Sequence, residues 1–128
     1  MKLYSFEKLE CWQHAIKLAV WTYFNTKGFP KEEKFGITSQ MRRAAISISS
    51  NIAEGTSRKT AKEQAHFIVI SYSSTIELLN DLIISNDLQF LSNEAYKKGR
   101  GLIERQTMLV AGLRKYQHSS NPLNTLNS

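Results

Sequence analysis

Glu63-Gln64-Ala65-His66 has the Glu-x-x-His spacing that carries di-metal centres in helical bundles. Such a centre needs a second pair and two further inward carboxylates. The sequence has no second Glu-x-x-His. At about 100° per residue, Glu63 and His66 also fall well outside the apolar stripe of their own segment. The reading is therefore no metal and no cofactor. Ser47 and Ser74 have no histidine at helical spacing to activate them. His14 falls on the outer side of its helix, and His118 begins the tail. Gly99-Arg100-Gly101 is too short to cradle a phosphate. Cys11 is the single cysteine, so it has no disulfide partner and no zinc set. Its reading is helix-surface packing in a reducing compartment. No nucleophile, general base or small-molecule pocket is assembled, and the expectation is a non-enzymatic protein.

The remaining chemistry is charge. The 128 residues carry a net +6, with a pI near 9.6. The cations fall in groups: Arg42 and Arg43; Arg58, Lys59 and Lys62; Lys97, Lys98 and Arg100; then Arg105, Arg114 and Lys115. Basic surface favours anionic partners, nucleic acid first. RNA or a nucleoprotein is the leading expectation. The alternative is a protein–protein interaction scaffold whose charge is incidental.

Four segments with helical periodicity must position these groups. The first spans residues 6–27, with Leu9, Trp12, Ile16, Ala19, Val20 and Tyr23 on one face, and Gly28-Phe29-Pro30 stops it. The second spans 35–54, with Ile37, Met41, Ala44, Ala45, Ile48 and Ile52 inward and Gly55 as a left-handed C-terminal cap. The third spans 61–86, with Thr60 and Glu63 at capping-box spacing and Ala65, Ile68, Tyr72, Ile76, Leu79 and Ile83 in register. The fourth spans 93–117 behind Ser92, with Ala95, Leu102, Leu109, Leu113 and Tyr116 aligned. Gly99 and Gly101 weaken its first turns.

Short connections make successive helices antiparallel neighbours. The predicted fold is all-α, an antiparallel up-and-down four-helix bundle over residues 1–118, followed by a flexible polar tail at 119–128. The N-terminus opens no apolar run of signal-peptide length. No stretch reads as the roughly 20 apolar residues that cross a bilayer. A cytoplasmic protein without a membrane partner is expected.

A second set of apolar residues falls off these stripes: Cys11, Leu18 and Trp21 on helix one, Ile46 on helix two, Phe67 and Ile70 on helix three. Contiguous apolar surface usually marks an interface, so these six are the expected oligomer contacts.

Helix two also carries a polar stripe. Gln40, Arg43, Ser47, Asn51 and Glu54 step by 3, 4, 4 and 3 residues and stack beside the apolar seam. Short polar side chains in fixed steps point to a packed network rather than a solvated face. The block Gln40-Met41-Arg42-Arg43-Ala44-Ala45-Ile46-Ser47-Ile48-Ser49-Ser50-Asn51-Ile52-Ala53-Glu54-Gly55 resembles the signature of the four-helix-bundle proteins first noted as products of intervening sequences in 23S ribosomal RNA genes. The opening from Phe6 to Ala15 is similar to that family's first-helix motif, and Phe29-Pro30 with Glu33 and Phe35-Gly36 is similar to its loop. The likeness runs from about residue 6 to 113. The family pattern has a Gly-Ser pair in helix three with a Glu three residues beyond the Ser. Here Ser74 and Glu77 are kept, and Ser73 stands for the Gly. The resemblance implies a left-handed bundle that often forms a ring-shaped homopentamer in a bacterial cytoplasm. It also implies a link to RNA, since a related branch serves as accessory protein in diversity-generating retroelements.

Overall fold

The computed structural model describes residues 1–120, and the side chains of residues 1–114. Four helices fill it: α1 (Glu10–Thr26), α2 (Ile37–Ser57), α3 (Ala61–Asp87) and α4 (Asn93–Ser120). Short 3-10 turns at Ser5–Lys8 and Lys31–Glu33 precede α1 and α2. No strand occurs among the described residues. The helix α4 runs past residue 118, and the predicted tail beyond Ser120 lies outside the described residues, as does the side chain of Tyr116.

Local chemistry sets the helix ends. The Thr60 hydroxyl accepts from the Glu63 amide at 3.2 Å, and the Ser92 hydroxyl accepts from the Ala95 amide at 3.1 Å. At the start of α2, Glu33 Oε2 accepts from the Ile37 amide at 3.4 Å. Gln89 adopts a left-handed φ of 62° and turns the chain from α3 into α4. Phe90 then packs on Phe29, ring centroids 5.3 Å apart, and closes that end of the bundle.

One cap departs from expectation. Helix α2 does not stop at Gly55. It continues to Ser57, and no glycine among the described residues has a positive φ. Gly55 is buried against α3, where a Cβ would stand 3.1 Å from Phe67 Cβ and 3.4 Å from the Gln64 carbonyl oxygen. Its role is close helix approach.

Contacts run antiparallel. On α2 and α3, Met41 meets Ser85, Ser47 meets Ser74, and the Ser71 hydroxyl donates to the Ile48 carbonyl. On α1 and α4, Gln106 donates to the Cys11 carbonyl near the start of α1, and Trp21 further along α1 lies against Gly99, earlier on α4. Each helix packs on two others, so α1 lies diagonal to α3.

The core holds Leu18, Met41, Ala44, Ala45, Ile48, Ile52, Ile68, Leu78, Leu82, Ile103 and Val110. Full burial of one such Leu or Ile contributes about 1.5–3 kcal/mol. Hydroxyls share this interior. Thr22, Thr26, Thr75 and Ser85 each donate to the carbonyl one turn back, at 2.8 to 2.9 Å, so their burial leaves no orphan donor.

This mixed interior overturns two predicted phases. In α1 the inward residues are Cys11, Ala15, Leu18, Thr22 and Thr26, while Ile16, Val20 and Tyr23 are exposed. In α3 the inward residues include Ser71, Ser74, Thr75, Leu78, Asp81 and Ser85, while Ile76 and Ile83 are exposed. Hydrophobicity points the wrong way on both helices because small and hydroxylic residues form the tight seams. In α4 the innermost residues are Gly99, Ile103, Gln106 and Val110, with Leu102, Leu109 and Leu113 at the flanks. By length and composition alone α3 could cross a membrane, since an 18-residue stretch of it reaches a mean hydropathy of 1.4, which the sequence reading did not anticipate. Here α3 packs between α2 and α4.

Candidate functional site

The polar stripe of α2 lies along the seam with α3. Ser47 Oγ is 2.8 Å from Ser74 Oγ. Asn51 donates to Ser47 Oγ at 2.9 Å and to the Ser47 carbonyl at 2.8 Å. One turn away Arg43 faces Glu77 at 4.0 Å. The structure thus joins Arg43 and Ser47 of the α2 block to Glu77 and Ser74 of the α3 motif. The stripe runs out into solvent at both ends: Gln40 is exposed, and Glu54 turns to Arg58 at 2.8 Å. Its centre is a packed network, and its ends are ordinary surface. Ser73, which stands for the family glycine, is exposed.

Next along the seam, Asp81 is almost fully buried, and its Oδ2 has no hydrogen-bond partner. Burial pushes its carboxyl above the usual carboxylate range. The Asn80 hydrogen bond and the Arg43 charge only partly oppose this, and Glu77 adds to it.

On the α1–α4 side, Gln106 is buried and donates to the Cys11 carbonyl at 3.1 Å. Its Oε1 lies 2.7 Å from His14 Nδ1. Because Gln106 Oε1 can only accept, His14 must donate. Cys11 belongs to the core rather than to an oligomer face, and burial pushes its thiol up to about 12. Among the described residues no three His, Cys, Asp or Glu side chains gather as a metal site requires, and Glu63 and His66 are exposed.

The basic residues divide between the two ends of the bundle. Arg58, Lys59 and Lys62 lie where α2 passes into α3. Arg58 is already engaged, by Glu54 and by the Phe67 ring 4.7 Å away. Lys97, Lys98 and Arg100 lie toward the other end, on the first turns of α4. Arg42 and Arg43 sit near that end on α2. Arg100 leans on Tyr96, with Nη1 3.0 Å from its hydroxyl, and on Glu104 at 3.9 Å. Among the described residues, Lys59, Lys62, Lys97 and Lys98 have no carboxylate within 4.0 Å.

Sequence reasoning missed one feature of this second end. An open groove of about 440 Å³ lies between the end of α1 and the start of α2. Tyr23, Lys34, Phe35, Thr38, Ser39, Arg42, Arg43 and Ile46 line it. The signal was present in Lys34-Phe35-Gly36: an aromatic residue beside a cation in a connection, where the sequence reading takes Phe35 as the first residue of helix two.

Of the six expected oligomer contacts, only Ile46 is well exposed, and it lies in this groove. Leu18 is fully buried and Cys11 nearly so. Trp21 is half-buried against Gly99, where any Cβ would collide with its indole. Phe67 and Ile70 are half-buried on α3. The surplus apolar surface lies elsewhere: Ile16, Val20 and Phe24 on α1, and Val69, Ile76, Ile83 and Ile84 on α3.

Fold and seam together define a small antiparallel four-helix bundle stapled between α2 and α3 by a polar signature. The chain belongs to the 23S rRNA-intervening sequence protein family, whose model matches residues 7–112. No curated protein matches it.

Proposed function

We propose that this protein is a non-enzymatic homo-oligomer that binds RNA or a nucleoprotein through its basic surface. The division of its surface carries the reading. Apolar residues are left over on the outer faces of α1 and α3, which are diagonal in the bundle, and the cation groups lie toward the two ends. Two different apolar faces on opposite sides suit a heterologous contact, in which α1 of one copy meets α3 of the next. Such contacts close into rings when the rotation allows, and family resemblance favours five copies. The cation groups at the bundle ends would then repeat around both faces of the ring. A patch that is weak in one copy becomes a continuous band of phosphate contacts.

The setting proposed is the bacterial cytoplasm, with no membrane and no cofactor. Salt-dependent retention of RNA by the intact oligomer tests the reading. An oligomer that retains neither RNA nor DNA at low salt would instead be a protein-interaction scaffold.

A further inference from the structure

We propose that the groove between α1 and α2 holds one nucleotide unit of single-stranded RNA, its phosphate among Lys34, Arg42 and Arg43 and its base against Phe35. This rests on the RNA-binding reading above and adds the form of RNA and the place where it is read.

Three cations line the groove, and no carboxylate does. The nearby Glu33 is turned to the start of α2, where it accepts from the Ile37 amide. Arg42 is held in place before any ligand arrives. Its Nε donates to Thr26 Oγ1 at 2.9 Å, and its guanidinium lies 4.6 Å from the Tyr23 ring centroid. Its Nη2 also donates to the Tyr23 carbonyl at 3.4 Å, which leaves three of the five guanidinium N–H donors for an anion. Among the described residues Arg43 pairs with Glu77 alone, at 4.0 Å, and its side chain is 71% exposed. Thr38 in the wall contributes a buried hydroxyl oxygen with no hydrogen-bond partner.

Phe35 supplies the second half of the site. It is 89% exposed, an unusual state for a large aromatic ring, and Lys34 Nζ sits 5.5 Å from its centroid. A bare ring beside cations is the arrangement on which single-stranded bases stack while their phosphates are neutralised. Bases inside a duplex are paired and stacked, so a side chain on an open surface cannot reach their faces. The volume falls within the roughly 300–1,000 Å³ usual for small ligand sites. An acidic peptide would satisfy the cations but leave the ring uncovered.

The test is fluorescence anisotropy of the intact protein with a short labelled single strand and with an RNA duplex, for wild type and Phe35→Ala. Phe35 makes no core contact to lose. We expect the variant to bind the single strand about tenfold more weakly, the scale of one lost base stack, and the duplex less than twofold more weakly. Phe35→Trp should restore single-strand affinity. Excess AMP that displaces the strand shows that the groove also takes free nucleotides, and failure to displace it ties the site to the strand. Poly-glutamate competing as well as unlabelled RNA would overturn the assignment, because charge alone would explain it. A Phe35→Ala protein of lower molar mass would also overturn it, since the groove would then belong to a contact between copies. If wild type binds both RNAs and Phe35→Ala changes neither, this inference alone fails. If wild type binds neither, the RNA-binding reading fails with it.

Discussion

Ser47 Oγ lies 2.8 Å from Ser74 Oγ, at the centre of the seam between α2 and α3. Both side chains are small, so the two helices come close, and the shared hydrogen bond leaves neither oxygen orphaned. Asn51 completes the network from one turn away. Ser74→Ala removes one hydrogen bond and should cost about 1 kcal/mol in urea unfolding. Ser74→Leu forces the helices apart and should cost about 3 kcal/mol or more. Equal effects from the two substitutions would show that space does not limit this seam.

Gly99 and Gly101 sit two residues apart on α4 and should respond in opposite directions to alanine. A Cβ at Gly101 meets nothing within 4 Å, so Gly101→Ala should add about 0.5–1 kcal/mol through helix propensity. At Gly99 the indole of Trp21 fills the space, its Cζ2 and Cζ3 at 3.0 and 3.1 Å from an ideal Cβ. Gly99→Ala should therefore lose about 1–3 kcal/mol despite the better propensity. Thermal unfolding of the two variants checks this.

The helix phases show how far the sequence alone could be read. All four helices and their caps at Thr60 and Ser92 follow from periodicity and capping chemistry. The core of α2 follows too, because Met41, Ala44, Ala45, Ile48 and Ile52 of its apolar stripe are also its most buried residues. Helices α1 and α3 could not be phased that way. Their inward faces carry Thr22, Thr26, Thr75 and Ser85, whose hydroxyls are satisfied by carbonyls of their own helix, and Ser71, whose hydroxyl is satisfied by the Ile48 carbonyl of α2, so all five cost little to bury. Their outward faces keep Val20 and Ile76, which no described residue covers. The polar seam was legible as a stripe. Its partners Ser74 and Glu77 were visible only through the family motif, since they stand about 30 residues further along the chain.

Asp81 makes stability depend on pH in a defined direction. Its folded value is raised above the ordinary 3.8, so the native state holds the proton more tightly than the unfolded chain. The resulting stabilisation is full below that ordinary value and is lost as pH rises through the folded one. Once ionised, the carboxylate, with Oδ2 unpartnered, is a cost. Asp81→Asn should raise the unfolding midpoint at pH 7 by a few degrees, on the order of 1 kcal/mol, and this advantage should shrink toward pH 4. An Asn variant that is less stable at pH 7 would show that the charge is better satisfied than its geometry indicates.

The exposed apolar faces give a sharp contrast in assembly. Val20→Glu and Ile76→Glu place a charge on the outer faces of α1 and α3. Each should lower the molar mass in solution while circular dichroism stays helical. Leu18→Glu, two residues from Val20 but fully buried, should unfold the bundle instead, at a cost of several kcal/mol. Two surface variants with unchanged mass would leave the outward faces without a role in self-association.

Light scattering with and without RNA, at low and at moderate salt, tests the central claim most directly. The account predicts a small whole-number multiple of the 14.6 kDa chain, five by family resemblance. Adding RNA at low salt should raise that mass. Moderate salt should reverse the rise, because each phosphate contact depends on releasing a condensed counterion. A monomer whose mass does not change with RNA at low salt would contradict it.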